Sequence, residues 1–283
     1  MLAEVAKVVR LHLDYVAAAR ELWGFEADQY QATVLQHRDA NHCLTCHRQF
    51  GKTEVVSSLA ACAAALPSPR HPKPTSIILS TGQDHAAEVL RRVADNITAA
   101  AKAGLCEVKS QNKHSIELKT GGRIISLAST EKAPRGWVVG PGGWLIVDEA
   151  AFVSDDVMHG AFPLTSSGGH IALLSTPNGK RGTFAEIALG DDDHWQRLLV
   201  DAETSGHIPV AKLEQYKLAL GSRKFGQEYL CDFLDTANNP FSWEQLQACL
   251  GGSPLPAGDG DSDAGEDIYR PGANPFTREQ RFA

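Results

Sequence analysis

Short apolar runs alternate with longer stretches of helical spacing over most of the chain. The runs are continuous, and each is followed by polar residues, which is typical of strands buried on both faces of a parallel sheet. Predicted strands occupy residues 42–46, 75–80, 115–118, 122–128, 144–147 and 170–174. Predicted helices occupy residues 3–22, 53–66 and 84–103. This βαβ alternation predicts an α/β fold with a mostly parallel central sheet flanked by helices.

The pattern changes after the last of these strands. A strand at 195–200 and helices at 210–220 and 223–230 predict a small lid subdomain that occupies residues 191–240. Between residues 251 and 267 the composition shifts to Gly, Pro, Ser and Asp, which is typical of a flexible linker. We therefore expect residues 241–283 to form a linker or tail.

Composition narrows the class of protein. With 283 residues, 43% of them apolar, the chain is long enough to bury a full core. No apolar stretch approaches the length of a membrane span, and the first residues lack the features of a signal peptide, so we expect a cytoplasmic protein with no membrane partner. The six cysteines are then expected as reduced core thiols. The formal charge of −7 argues against a uniformly basic nucleic-acid surface but permits a local basic stripe.

A candidate phosphate-binding loop follows the first predicted strand. It consists of Cys46, His47, Arg48, Gln49, Phe50, Gly51, Lys52 and Thr53. Backbone N–H groups at a helix N-terminus neutralise phosphate charge, and in such loops the lysine contacts the β- and γ-phosphates while the next hydroxyl binds Mg²⁺. Cys46 replaces the glycine with which this motif usually begins, so the loop alone is only moderately specific.

An acidic pair about a hundred residues later strengthens the interpretation. Asp148 directly follows the apolar run at residues 145–147, at the carboxyl end of a predicted strand. There it can hold the Mg²⁺ of a bound nucleotide, and Glu149 can polarise the attacking water. An acidic pair in this position also occurs as a simple helix cap, but together with the loop it indicates ATP hydrolysis.

These parts predict a P-loop NTPase of the ASCE or RecA-like class. Residues 41–190 would form the ATPase core, and residues 1–40 a helix and an adenine-side segment. In that segment Gln31 offers an amide that can recognise an adenine edge. We expect ATP to bind between Gln31 and the loop, with Mg²⁺ between Thr53 and Asp148.

The order of motifs resembles the ATPase domain of the large terminase subunit, the motor that packages DNA into viral procapsids. The resemblance covers roughly residues 25–235. It rests on four segments that occur in sequence order: residues 47–53, 146–152, 175–179 and 225–230.

The resemblance implies further roles. Ser175 and Thr176 are similar to the start of the family's coupling segment, which senses the γ-phosphate, and Arg48 matches the loop arginine. Arg135 is similar to the position proposed as an arginine finger that acts on a neighbouring subunit. The implied partners are double-stranded DNA, a portal protein, a small terminase subunit and other copies of the chain in a homo-oligomeric ring on the procapsid.

Family members usually carry a carboxyl-terminal nuclease domain, and we expect this chain to contain the ATPase part only and to lack DNA cleavage activity. Two alternatives remain. The first is a helicase-type DNA translocase, because the sequence at residues 148–151 also resembles the acidic box of that class. The second is a structural ring subunit that binds nucleotide without hydrolysing it, against which the presence of both Lys52 and Glu149 argues.

Overall fold

The computed structural model describes residues 2–129 and 136–234. The chain divides into two units, and all described residues belong to the first, Met1–Leu234. The predicted tail at residues 241–283 and the candidate arginine finger Arg135 lie outside the described residues. The boundaries proposed between the amino-terminal segment, the core and the lid remain predictions within this unit.

Eight strands form a single sheet in the described part of the chain. They are β1 (Asn41–Cys46), β2 (Thr75–Ser80), β3 (Val108–Gln111), β4 (Ser115–Leu118), β5 (Arg123–Ala128), β6 (Trp144–Asp148), β7 (His170–Ser175) and β8 (Trp195–Val200). Their spatial order is β3-β4-β5-β2-β6-β7-β1-β8. The six strands from β5 to β8 in this order run parallel, while β4 is antiparallel to β5 and β3 to β4. The predicted fold class is therefore confirmed.

Within the described residues, three helices precede β1, four connect strands and two follow β8. They are α1 (Leu2–Leu13), α2 (Tyr15–Trp23), α3 (Gln29–Gln36), α4 (Lys52–Ala65), α5 (Gln83–Lys102), α6 (Asp155–Ala161), α7 (Thr183–Leu189), α8 (Ala202–Ser205) and α9 (Val210–Tyr229). Short 3₁₀ turns occupy Ala150–Phe152 and Phe162–Thr165. None of these helices combines the length and the apolar character that a membrane crossing requires.

Two apolar layers enclose the sheet. Alternate residues of one strand enter different layers: Trp144 and Ile146 of β6 pack with the apolar residues of α1 to α5, whereas Leu145 and Val147 pack with those of α6 and α7. Because successive side chains of a strand point to opposite faces, a strand covered on both sides reads as a continuous apolar run. This explains why the parallel strands were predictable from the sequence.

Several elements differ from the predictions, and the short helices α3, α6, α7 and α8 were not predicted at all. The helix predicted at 3–22 is two helices, because Asp14 adopts an extended conformation (φ −129°) and its side chain caps α2 by accepting a hydrogen bond from the N–H of Ala17. Strand β3 was missed because its sequence, Val-Lys-Ser-Gln, is polar and mostly exposed. The strand at 195–200 was assigned to the lid, but β8 pairs along its whole length with β1 and belongs to the main sheet.

The two helices predicted at 210–220 and 223–230 are present as the two parts of α9. They meet at Gly221, whose backbone is not helical (φ 74°, ψ 159°). A small apolar cluster made of Ala202, Ile208, Leu213, Phe225 and Tyr229 holds α9 to the segment before it. We refer to residues 201–230 as the lid.

Candidate active site

The carboxyl ends of β1, β6 and β7 are neighbours in the sheet, and they bring three predicted segments together. The loop at residues 47–51 connects β1 to the N-terminus of α4. Asp148 is the last residue of β6, and Ser175 is the last residue of β7. Since the strands are parallel, all three segments lie at the same edge of the sheet, where ligands bind in folds of this kind.

Two residues of the loop have the left-handed backbone conformation that is common in anion-binding turns. Gln49 and Gly51 both adopt left-handed conformations, with φ values of 68° and 92°. Consecutive N–H groups in such turns point into a common concavity that binds anions. Gly51 is also the residue before the first turn of α4, and a Cβ at this position would lie 3.1 Å from Nε2 of Gln31.

Lys52 and Glu149 meet across this edge. The Nζ atom of Lys52 lies 3.7 Å from Oε1 of Glu149, and the lysine side chain is only 10% exposed. Burial would lower the pKa of Lys52, but the neighbouring Cys46, Glu149 and Asp148 raise it above its ordinary value. Lys52 is therefore a buried cation, held in place by carboxylates.

Glu149 adopts a left-handed backbone conformation (φ 54°, ψ 44°), which is uncommon for a residue with a side chain. Its Oε2 atom accepts a hydrogen bond of 3.4 Å from the hydroxyl of Ser175. Residues held in sparsely populated conformations cluster at functional sites. Glu149 thus contacts both the lysine of the loop and the end of β7.

Asp148 is almost completely buried, at 1% exposure, and both of its carboxylate oxygens have partners. Oδ1 accepts from the backbone N–H of Glu149 at 3.0 Å, and Oδ2 lies 3.0 Å from Nε2 of His85. The hydrogen bond to Asp148 raises the pKa of His85 above its ordinary value. His85 was missed in the sequence analysis, although it follows β2 at the same edge of the sheet.

The oxygen donors fit a magnesium ion that a nucleotide shares. Mg²⁺ prefers oxygen ligands and is usually bound by one or two carboxylates or hydroxyls together with substrate phosphates and water. Asp148 and Thr53, which follows Lys52 in the first turn of α4, offer this chemistry. Within residues 2–129 and 136–234, no group of three His, Cys, Asp or Glu side chains is arranged to hold a metal without a further ligand.

Gln31 lies next to the loop, but its amide is engaged by the chain. Its Nε2 donates a 2.9 Å hydrogen bond to the carbonyl of Phe50, and its Oε1 accepts from the backbone N–H of Asp28 at 3.0 Å. The residue is only 5% exposed. Contact with adenine remains a prediction for Gln31, whereas its bond to the loop is a feature of the structure.

The remaining loop residues contact the lid. The His47 ring is buried and lies 2.8 Å from the hydroxyl of Ser205, and burial lowers the pKa of this histidine. Phe50 is 1% exposed and stacks on the ring of His207 at 5.4 Å. Cys46 is a buried residue of β1, and burial raises the pKa of its thiol to about 12. Ser205 and His207 were missed in the sequence analysis, because they come close to the loop only through the fold.

Arg48 is directed toward the lid and away from the acidic pair. Its backbone N–H donates to the carbonyl of Glu228 at 2.8 Å, and its guanidinium lies 3.8 Å from the carboxylate of that residue. The next residue back along α9, Gln227, donates to the carbonyl of Pro177 at 2.9 Å. The last turn of α9 therefore contacts both the loop and the segment after Ser175 and Thr176, both of which are buried.

Comparison with known proteins identifies the family of the chain. The sequence profile of the family described as terminase large subunit, T4likevirus-type, N-terminal, matches residues 46–248, well over half of the chain. The chain belongs to this terminase family. A search of curated protein sequences gave no match for the terminase chain.

Solved structures share the fold. The large terminase ATPase domain of Thermus phage P74-26 has a TM-score of 0.63 at 18% identity, over 76% of this chain and 97% of that one. The large terminase of bacteriophage HK97 has a TM-score of 0.56 at 16% identity, over 76% of this chain and 50% of that one. The large terminase of another thermophilic bacteriophage, in complex with ATP-γ-S, has a TM-score of 0.54 at 13% identity, over 78% and 52%. The terminase chain thus spans about half the length of the last two chains.

Proposed function

We propose that this terminase chain hydrolyses ATP and uses the energy to move double-stranded DNA into viral procapsids. The observation that carries the proposal is the distance of 3.7 Å between Lys52 Nζ and Oε1 of Glu149. Both groups lie beside the buried Asp148 and next to the loop that contains the left-handed residues Gln49 and Gly51. The thermophilic-phage terminase that was solved with ATP-γ-S, and also with ADP, shares the fold of this chain. These complexes support ATP as the substrate of this site.

Each residue has a defined part in the proposed mechanism. The N–H groups of Gln49, Gly51, Lys52 and Thr53, together with the ammonium of Lys52, bind the phosphates, whereas those of Arg48 and Phe50 donate to carbonyls of the chain. When Lys52 binds phosphate, Glu149 is released from its ion pair and its carboxylate orients a water molecule toward the γ-phosphate. Thr53 and Asp148 would hold Mg²⁺, which supplies neutralising charge for the transferred phosphoryl group. Ser175, bonded to Glu149, reports the state of the site to the segment that follows it.

The family also suggests the partners of this reaction. We propose a portal protein, a small terminase subunit and a homo-oligomeric ring, in which Arg135 acts on a neighbouring subunit. Arg48, whose guanidinium lies beside Glu228 of the lid, would have to leave that carboxylate to assist at the phosphates. ATPase activity measured with and without portal-bearing procapsids and linear duplex DNA tests this proposal. Strong stimulation supports a packaging motor, whereas ATP-dependent strand separation favours the helicase alternative.

Replacing Glu149 with Gln tests the catalytic assignment. The amide keeps the size of the side chain but cannot accept a proton, so we expect ATP turnover to fall by about 10²- to 10⁴-fold. Binding of a fluorescent ATP analogue should be retained, because the loop and Lys52 are intact. The matched control is Glu107→Gln, which changes an exposed glutamate paired with Lys119. Turnover equal to that of the parent chain in the Glu149 variant would overturn the assignment of Glu149 as the catalytic base.

A further inference from the structure

Among the hydrogen bonds of the described residues, His85 provides the only side-chain partner of Asp148. It lies in the first turn of α5, and its Nε2 atom is 3.0 Å from Oδ2 of Asp148. The imidazole is 42% exposed, whereas the carboxylate it contacts is 1% exposed. The ring therefore reaches from the open edge of the sheet to a buried acid.

With this contact, both oxygens of the Asp148 carboxylate take part in hydrogen bonds. Oδ1 is bound by the N–H of Glu149 and Oδ2 by His85, so rotation of the carboxylate would break at least one hydrogen bond. A carboxylate oxygen has two lone pairs, and each oxygen of Asp148 keeps one that these bonds do not use. The orientation of the remaining acceptor sites is thus set by two groups of the chain.

The position of His85 follows from the sheet topology. Strand β2 pairs in parallel with β6, so the start of α5 lies at the same edge as the end of β6. Helix α5 does not need His85 to stay in place. Its attachment comes from a buried apolar face and from the bond between the Ser126 hydroxyl and the carbonyl of Ala86 at 2.8 Å.

We propose that His85 is a positioning residue, which holds Asp148 so that its unused acceptor sites face the Mg²⁺ bound with the nucleotide. This inference rests on the proposed function, because it assigns a metal-facing role to Asp148. Partners that orient a metal-binding side chain contribute strongly to affinity, and their removal commonly weakens metal binding by about 10- to 100-fold.

The experiment compares His85→Ala, His85→Gln and the control His114→Ala, which changes an exposed histidine in the turn between β3 and β4. Binding of a fluorescent ATP analogue is measured while MgCl₂ is titrated, and again in EDTA. For His85→Ala we expect the Mg²⁺ midpoint to rise at least about tenfold, with binding in EDTA equal to that of the parent chain. Glutamine can donate a hydrogen bond in place of Nε2, so His85→Gln should recover most of this loss.

Several outcomes would refute the role of His85. An unchanged Mg²⁺ midpoint in His85→Ala would do so, as would an equal loss of binding with Mg²⁺ and in EDTA, because the residue would then act only on the general shape of the site. Failure of His85→Gln to recover the midpoint, or loss of folding in thermal melts of His85→Ala, would also overturn it. If the parent chain itself binds no nucleotide, the proposed function fails, and that result is distinct from all of these.

Discussion

Gln31 uses both ends of its side-chain amide to bind neighbouring backbone groups, the N–H of Asp28 and the carbonyl of Phe50. The first bond is half of a capping box that starts α3, and the second fixes the phosphate loop from outside. One N–H of the amide remains available after these bonds are made. Gln31 can therefore position the loop whether or not it also contacts a base.

Replacing Gln31 with Ala should destabilise the chain even without nucleotide. The carbonyl of Phe50 would lose its donor in a buried position, which costs about 1–3 kcal/mol of unfolding free energy. Urea denaturation measures this cost, and Gln36→Ala, at an exposed position on the same helix, is the control. Glu at position 31 keeps the acceptor but loses the donor, so it should be no better than Ala. A variant as stable as the parent chain would show that the Phe50 bond contributes little.

For individual residues, the sequence alone indicated some members of the candidate site and missed others. Lys52 and Asp148 were predictable because a local motif and a strand end fix their positions. His85 follows a predicted strand by the same rule, but the order of the strands in the sheet decides which strand ends are neighbours, and no local pattern contains that order. Ser205 and His207 contact the loop from more than 150 residues away, and no local pattern in the sequence indicates contacts at that separation.

Helix α9 consists of two parts that contact different regions of the molecule. Gly221 interrupts it with a backbone conformation, φ 74° and ψ 159°, that is essentially restricted to glycine. The bend lets the first part pack through Leu213 in the lid cluster, while the second part brings Gln227 and Glu228 to the edge of the sheet. The sequence predicted two helices here, and the structure confirms them and places the break at Gly221.

Gly221→Ala should weaken the lid, although the same change in a regular helix is stabilising. No atom lies within 4 Å of the position that a Cβ would occupy, so the cost is due to the backbone alone. We expect a loss of about 1–3 kcal/mol in unfolding free energy, together with faster amide hydrogen exchange in α9. Ser222→Ala, at a neighbouring exposed position, is the control and should stay within about 0.5 kcal/mol. A stabilised Gly221→Ala variant would contradict the assigned conformation.

The two strands that were missed or assigned to the lid share a physical cause. Strand β8 occupies the edge of the sheet beside β1, and five of its six residues are only partly buried. An edge strand lacks the continuous apolar signature of the central strands, so its place in the sheet depends on pairing that the sequence does not show. Strand β3 is an edge strand on the other side, and its polar residues carry no strand signal at all.

The whole molecule buries several histidines, and this links its stability to pH. Burial lowers the pKa of His42 to about 4, and it also lowers the pKa values of His47 and His170. An unfolded histidine titrates near pH 6.5. Between these values each of these histidines binds a proton in the unfolded chain but not in the folded chain, so their contribution to stability falls as the pH decreases from about 6.5 toward 4.

His42→Gln should reduce this dependence. The variant keeps a hydrogen-bond donor for the carbonyl of His37, to which His42 is bonded at 2.7 Å, but it cannot take up a proton. The slope of unfolding free energy against pH should decrease by up to about 1.4 kcal/mol per pH unit in this window. Urea denaturation at pH values from 4.5 to 7.5 (about half a unit apart) provides the measurement. The same slope in the variant and the parent chain would exclude His42 as a source of the effect.

Gln227 and Glu228 are adjacent in one helical turn, yet one holds the carbonyl of Pro177 and the other the N–H of Arg48. Neighbouring residues of a helix cannot move apart, because the intrahelical hydrogen bonds fix their spacing. The last turn of α9 therefore links the loop after β1 to the segment after β7. If either of these segments shifts, the second part of α9 must follow it or lose a hydrogen bond, so a small displacement at the end of β1 or β7 is passed on to the lid.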